Sequence, residues 1–168
     1  GLFEQHGLPV DIIYMPGQSE SNNSFIKGQV QGLGSVLSDV VLMRSSGIKI
    51  KVVTISDYSE EGDVIVANQS INKVADLKGK TIGIDGLNSF SHMYVLEELK
   101  RNGIKENEVY FKIIPYSKVG EALSNHFVDA AHTWNPGKIE AIKAGHKVIS
   151  KAGNIPGLIL DTFSFNEE

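Results

Sequence analysis

Short runs of β-branched and apolar residues alternate along this chain with longer segments whose apolar residues recur at helical spacing. The runs predict strands at 9–15, 30–36, 48–55, 63–67, 80–85, 109–115, 130–134, 146–149 and 158–165. The longer segments predict helices at 21–29, 38–44, 91–101, 117–127 and 136–144. Strands and helices that alternate in this way are typical of α/β architecture.

From residue 80 onward the pattern predicts repeated strand–helix–strand units. Right-handed crossovers would arrange such units into a mostly parallel sheet. In the helix at 91–101, Met93, Leu96 and Leu99 recur at helical spacing and predict one buried face. Ligands bind beyond the carboxyl ends of parallel strands, so the loop 86–91 and the corner 134–136 belong to the candidate site.

The composition narrows the classes of function. Of the 168 residues, 41% are hydrophobic and 21% are charged, and the formal net charge is −4. We expect no nucleic-acid partner, because nucleic-acid binding normally requires a basic face. The chain has no cysteine, which excludes disulfides, thiolate metal sites and cysteine nucleophiles. No apolar run approaches the length of a membrane span.

No set of residues suggests catalysis, a cofactor or a metal. The five histidines are not spaced as metal ligands, and no serine stands in the glycine context of a nucleophile elbow. We therefore expect neither catalytic residues nor a metal site nor a bound cofactor.

The loop 86–91 is the leading ligand-binding candidate. Gly86 lets the backbone approach a ligand, and Asn88, Ser89 and Ser91 offer polar groups where a helix begins. Free amides and the dipole at a helix start attract anionic oxygens. The alternative is that Asn88 or Ser89 only caps the helix.

Other candidates follow predicted strands. Ser35 and Ser38 lie where a glycine-rich strand meets a helix, and each could instead be a cap. Asp57 follows the strand at 48–55, where a solvated loop is the alternative. Trp134 and Asn135 stand at a strand end, and the tryptophan is expected either to stack on a planar ligand or to pack in the core.

Several phrases, in their order, resemble the solute-binding proteins of nitrate/sulfonate/taurine-type ABC transporters and of the thiamine-pyrimidine precursor-binding superfamily. They are G-L-F-E-Q-H-G-L-P-V at 1–10, G-Q-V-Q-G-L-G-S at 28–35 and A-D-L-K-G-K at 75–80. A further resemblance runs from A-L-S at 122–124 through V-D-A-A at 128–131 to W-N-P at 134–136. No single phrase is specific, but the likeness extends over nearly the whole chain.

The resemblance implies a type II periplasmic-binding-protein-like α/β fold with two lobes and an incomplete first lobe. Residues 1–70 and 158–168 would form lobe I, residues 76–150 lobe II, and 71–75 and 151–157 the crossover segments. Family members begin with a strand and helix that have no counterpart here. We therefore expect the missing segment to come from the rest of a longer chain or from a partner chain.

The function implied by the resemblance is extracytoplasmic capture of a small polar or anionic solute for an ABC transporter permease. The protein would be periplasmic, or extracellular and membrane-anchored. An alternative is a ligand-sensing module of a larger signalling protein. A thiamine-pyrimidine synthase-like enzyme is a third hypothesis, but the cysteine-rich signature of those relatives is absent.

Overall fold

The structure, a computed structural model, describes residues 1–167. Its helices are α1 (Leu2–Gln5), α2 (Gln18–Ile26), α3 (Leu37–Ser45), α4 (Phe90–Arg101), α5 (Val119–Ser124) and α6 (Gly137–Lys143). Its strands are β1 (Gly32–Val36), β2 (Ile50–Tyr58), β3 (Val64–Ala67), β4 (Thr81–Ile84), β5 (Tyr110–Ile113), β6 (Ala130–Thr133), β7 (Lys147–Lys151) and β8 (Leu160–Asn166). The alternation of strands and helices predicted from the sequence is confirmed.

A three-stranded antiparallel sheet has the order β1-β8-β2. Ser35 in β1 stands opposite Thr162 in β8, and two irregularities interrupt the pairing of β2 with β8. Helices α2 and α3 cover one face, where Phe25, Leu33, Val40, Met43 and Ile50 form a small core. This sheet and the two helices are called the three-stranded region below.

A five-stranded sheet has the order β5-β4-β6-β3-β7. Strands β4, β5 and β6 are parallel, whereas β3 runs antiparallel between β6 and β7. One apolar core includes residues of α4 and another includes residues of α5 and α6. This sheet and α4–α6 are called the five-stranded region, and the prediction of a mostly parallel sheet is correct except for β3.

Strand β3 corrects the predicted division of the chain. Residues 64–67 were assigned to lobe I, but their hydrogen-bonded partners are strands of the five-stranded region. Val64, Ile65, Val66 and Ala67 are all 0% exposed. Such a continuous apolar run suits a central strand buried on both faces, and only that sheet offers one among the described residues.

The chain passes between the two sheets at 59–63 and again at 152–159, and these crossing segments lie side by side. Ser59 donates its amide hydrogen to the carbonyl of Ile159 at 3.0 Å, and Gly153 donates to Glu60 at 2.7 Å. The predicted crossing at 71–75 is wrong, because Ile71 and Val74 are buried in the core of the five-stranded region. The predicted crossing at 151–157 overlaps the observed one.

Two other local predictions differ from the structure. Residues 9–15 form no strand, and Ile12, Ile13 and Tyr14 are exposed, since no strand within residues 1–167 pairs with them. On α4, Leu99 is buried as expected, but Met93 and Leu96 are half-buried. Ser91, Tyr94 and Val95 are 0% exposed, so the buried face of α4 is centred on these residues and Leu99.

Candidate functional site

A cavity of about 620 Å³ lies between the two sheets, beside the crossing segments. The three-stranded region contributes the end of β2 and the start of β8, and the five-stranded region contributes the start of α4 and the end of β6. Residues 15–18, which lead into α2, line another side. Small-molecule sites in proteins have volumes of about 300–1,000 Å³, so the cavity has the size of a ligand site.

Carboxylates dominate the charged groups of the cavity. The lining includes Asp57, Glu60, Glu61, Asp63 and Asp161, and none of the described lining residues is a lysine, arginine or histidine. Glu61 is neutralised at the edge, because Lys151 Nζ lies 2.7 Å from its Oε1. Burial, followed by the charges of Asp63 and Asp57, raises the pKa of Asp161. The cavity is therefore a region of negative potential.

An aromatic surface faces these carboxylates. Tyr116 and Trp134 stack with ring centroids 4.4 Å apart and planes 25° from parallel, and Phe90 lies 5.5 Å from Trp134. All three line the cavity. Trp134 is half-buried and also packs against the main core of the five-stranded region. One part of the Trp134 side chain therefore packs in the core, and another part forms the wall of the cavity. Stacking of Trp134 on a planar ligand stays a prediction.

Asp63 is held in place by a buried chain of hydrogen bonds. His132 Nε2 lies 3.0 Å from Asp63 Oδ1, and His132 Nδ1 lies 2.8 Å from Ser91 Oγ. Ser91 Oγ also accepts the amide hydrogen of Asp85 at 3.1 Å. With a neutral imidazole, this arrangement assigns the proton to Nε2, which donates to Asp63, while Nδ1 accepts from Ser91.

These three residue types resemble a hydrolytic triad, but the position of the serine differs from that of a nucleophile. Ser91 is 0% exposed and His132 is 2% exposed, and neither lines the cavity. A nucleophile must reach the substrate, and Ser91 Oγ is enclosed by protein. The chain of hydrogen bonds instead fixes the carboxylate of Asp63 against the cavity.

Of the predicted ligand-binding residues, Asp57, Trp134 and Asn135 line the cavity. Ser89 caps α4: its Oγ accepts the amide hydrogen of His92 at 3.3 Å and donates to the Gly86 carbonyl at 2.7 Å. Asn88 has a left-handed backbone with φ of 56° and does not line the cavity. Ligand contact by Asn88 and Ser89 stays a prediction, whereas the enclosed Ser91 reaches a ligand in the cavity only through His132 and Asp63.

The predicted ligand-binding residues Ser35 and Ser38 also lie outside the cavity lining. Ser35 Oγ accepts from Gln18 and donates to Asn22, each at 3.1 Å, while the Oγ of Ser38 is buried without a partner in the described part of the chain. Next to them, Asp39 Oδ1 accepts the amide hydrogen of Phe90 at 2.8 Å. A carboxylate of the protein therefore accepts from the first amide of α4, at the helix start where the sequence predicts a bound anion.

Several lining residues were not predicted. Glu60, Glu61 and Asp63 follow β2 in the run S-E-E-G-D, which gave a sequence signal of clustered acids after a strand. Tyr116 and Asp161 carry no comparable local signal. Their place in the cavity depends on the pairing of β8 with β2 and on the contact between Tyr116 and Trp134.

Neither a metal centre nor a membrane-spanning helix is found in the part of the chain that the structure describes. No group of three or more histidine, aspartate or glutamate side chains in residues 1–167 is arranged to hold a metal ion. No helix in the same range is long and apolar enough to cross a bilayer.

Comparisons with known proteins agree with this architecture. The profile of the family described as NMT1/THI5 like matches residues 1–151. A protein of Brucella abortus (strain 2308) named as a binding protein is 30% identical over 140 residues, which cover 81% of this chain and 41% of that protein. The taurine-binding periplasmic protein of Escherichia coli K12 is 26% identical over 127 residues, covering 76% of this chain and 38% of that protein.

Solved structures show the same fold. The periplasmic aliphatic sulphonate binding protein SsuA of Escherichia coli superposes with a TM-score of 0.83 at 18% identity, over 98% of this chain and 57% of that one. The alkanesulfonate-binding protein SsuA of Xanthomonas axonopodis pv. citri, bound to MOPS, superposes with a TM-score of 0.82 at 18% identity. The superposition covers 99% of this chain and 61% of that one. The chain thus spans less than two thirds of the length of each of these relatives.

Proposed function

The chain belongs to the NMT1/THI5-like family, and from this premise we propose that it is part of a solute-binding protein that captures a small polar solute for an ABC transporter permease. The observation that carries the proposal is the cavity between the two sheets, with aromatic and polar walls contributed by both regions. Recognition, with no covalent step, is the chemistry that such walls perform. The names of the relatives, all binding proteins, point the same way.

The connection between the two regions supports capture by closure. Only the adjacent segments 59–63 and 152–159 carry the described chain from one sheet to the other, and backbone hydrogen bonds join them. Paired crossing segments of this kind can act as a hinge, around which two regions close on a ligand. Binding would shift the population toward the closed form, which a permease can recognise.

We place the protein in the periplasm or, as a membrane-anchored protein, on the cell surface. Two relatives are named as periplasmic binding proteins, which supports this location. A permease partner follows from the proposed transport role, and its docking would be sensitive to closure of the two regions.

The uncovered face of the three-stranded region supports the proposal that a further segment packs there. Phe163 and Phe165 are 51% and 48% exposed and stand two residues apart on one face of β8, opposite the face of the buried Thr162 and Ser164. Exposed apolar patches of this kind mark contact sites. We propose that the rest of a longer chain, or a partner chain, covers them. Such a segment would complete the lobe that the family resemblance implied.

We also propose that the protein has no enzymatic activity. The enclosed position of Ser91 supports this, because the serine cannot reach a substrate in the cavity. The expected result is no hydrolysis of p-nitrophenyl acetate above that of a Ser91→Ala variant. Hydrolysis that is lost with the Ser91→Ala substitution would contradict the proposal.

The proposed function is tested by a thermal-shift screen of small amines, sulfonates, carboxylates and nitrogen heterocycles. A ligand that binds only the folded state raises the melting temperature by an amount that grows with the logarithm of its concentration above Kd. The expected result is stabilisation by at least one solute, reduced in Trp134→Ala. Tyr110→Ala is the matched control, because Tyr110 is 69% exposed and outside the cavity lining. Failure of every class of solute would overturn the proposal.

A further inference from the structure

We infer that the ligand of this cavity is a small organic cation with a planar apolar part; this inference rests on the proposed binding function and specifies its substrate class. Four observations support it. They are the excess of carboxylates in the lining, the fixed position of Asp63, the aromatic wall and the hydrogen bond between the Asp39 carboxylate and the start of α4. Each concerns side chains of the described cavity and its border.

The first observation is the charge balance of the lining. Two carboxylates of the lining have a close basic partner: Glu61, which is paired with Lys151, and Asp63, whose Oδ1 lies 3.0 Å from His132 Nε2. Lys138 Nζ also donates to the backbone carbonyl of Glu61. Among the described contacts, no salt bridge reaches Asp57, Glu60 or Asp161, and these three line the cavity. Carboxylates so close together repel one another, and a cation placed among them replaces this repulsion with attraction.

The second observation is that one carboxylate is built into the wall. Asp63 is only 8% exposed, and its Oδ1 accepts from His132 at 3.0 Å. Among the hydrogen bonds of residues 1–167, none ends on Asp63 Oδ2. Asp63 Oδ2 is not among the fully enclosed, unpartnered side-chain oxygens of the described residues, so this oxygen stays accessible. A ligand N–H group in the cavity would therefore donate to Oδ2 while Oδ1 is held by His132.

The third observation is the aromatic wall. Tyr116 and Trp134 stack nearly parallel, and Phe90 extends the same surface into the cavity. The faces of such rings attract cations and also stack on planar groups. The wall and the carboxylates together select a ligand with a flat apolar part and a positively charged end.

The fourth observation argues against an anion at the helix start. The amide of Phe90, which opens α4, already donates to Asp39 at 2.8 Å. None of the described lining residues provides a positive side chain that could bind an anion instead of this amide. A sulfonate or carboxylate would therefore meet like charges, and its desolvation would have little compensation.

The test uses three probes that share one ring and differ in charge: benzamidinium, neutral benzamide and anionic benzenesulfonate. Isothermal titration of the 168-residue chain at pH 7 measures each Kd. We expect benzamidinium to bind at least about tenfold tighter than benzamide and benzenesulfonate to bind more weakly than both. Raising NaCl from about 0.05 to about 0.5 M should weaken benzamidinium binding and leave benzamide binding unchanged.

Two sets of variants assign the effect to the cavity. The double variant Glu60→Gln/Asp161→Asn should reduce the preference for benzamidinium over benzamide by about tenfold, and Asp63→Asn should act in the same direction. The double variant keeps the test decisive if Asp63→Asn does not fold. Glu60 and Asp161 have no salt bridge among the described contacts, so we expect their substitution to leave the fold intact. Glu121→Gln, on a side chain that is 62% exposed on α5, is the charge-matched control.

The outcomes separate the two proposals. If benzenesulfonate or taurine binds more tightly than benzamidinium, the cation inference is overturned while the binding function holds. If benzamidinium shows no preference over benzamide, or the preference survives the double variant, the inference is overturned as well. If no solute of any class binds, both proposals fail together.

Discussion

The two sheets of this chain bury their residues in different ways. In β3 of the five-stranded region, all four residues are 0% exposed, and apolar cores lie on both sides of the sheet. In β2 of the three-stranded region, Ile50 is the only buried residue of nine, and the core beneath the sheet is small. One sheet is covered on two faces and the other on one.

The five-stranded region is therefore stabilised mainly by its own contacts, whereas the three-stranded region depends more on its neighbours. The crossing segments and the hydrogen bond that the Phe90 amide donates to Asp39 connect the two regions. The cavity lies at this junction.

The largest expected effect is on the core of β3. Ile65→Ala removes a side chain that is 0% exposed and should lower the free energy of unfolding by about 2–5 kcal/mol. Ile55→Ala is the matched change in β2, where the side chain is 52% exposed, and should cost less than about 0.5 kcal/mol. Urea denaturation measures both, and equal losses would contradict the contrast between the two sheets.

A second prediction concerns the buried hydrogen bonds of Ser91 in the five-stranded region. Ser91→Ala leaves both the amide of Asp85 and Nδ1 of His132 without a partner, and should cost about 1–3 kcal/mol. Ser89→Ala removes a half-buried helix cap and should cost about 1 kcal/mol. Both are measured by urea denaturation, and a larger loss for Ser89→Ala would contradict the role assigned to the buried chain of hydrogen bonds.

The third prediction addresses the bond between the regions. Asp39→Ala removes the acceptor of the Phe90 amide and of Asn22 Nδ2, and should cost about 1–2 kcal/mol. Asp39→Asn keeps an acceptor oxygen and should retain more of the stability. Hydrogen exchange at the Phe90 amide should accelerate in the alanine variant, and unchanged exchange would show that the bond does not form in solution.

The smallest expected effect is on the pH dependence of stability. The pKa of Asp161 is raised above its ordinary value of 3.8, chiefly by burial, so the folded state keeps this proton at a pH where the unfolded chain has lost it. Its contribution is therefore present below pH 3.8 and lost as pH rises through the folded pKa. Asp161→Asn should remove this loss.

Asp76→Asn is the opposing control for that measurement. Backbone hydrogen bonds, first that from Asn72, lower the pKa of Asp76 below 3.8, so its contribution is present above that pH and lost on acidification. The asparagine variant should therefore lose stability near neutral pH and match the parent protein in acid. Urea midpoints measured from pH 3 to 7 decide both cases, and parallel curves for the two variants would contradict the assigned directions.

Local signals account for the part of the structure that could be predicted from the sequence. Glycine turns and β-branched runs marked β4, β6 and α4 to within a few residues, because strand and helix propensities act over short distances. The segment 9–15 shows the limit of this reasoning. It has strand composition, yet it remains unpaired in the described chain, since a strand requires a partner as well as a pattern.

The candidate site was predictable only in part, because its residues come together through contacts between distant parts of the chain. Trp134 and Asn135 follow β6, and Asp57 is the last residue but one of β2, so all three stand at strand ends that line the cavity. Ser89 and Ser91 follow a strand too, but capping and burial use their hydroxyl groups. A sequence does not distinguish a serine that caps a helix from one that contacts a ligand, because both occupy the same local pattern.

The α/β alternation, the family resemblance and the absence of cysteine chemistry can be read from the amino-acid sequence, because they depend on local order or on composition. The pairing of β3 with the five-stranded sheet, and the meeting of Asp57, Asp63 and Asp161 around one cavity, become visible in the folded chain. Those facts depend on contacts between residues far apart in the chain. Long-range pairing is selected by the burial of whole faces, which no short segment specifies alone.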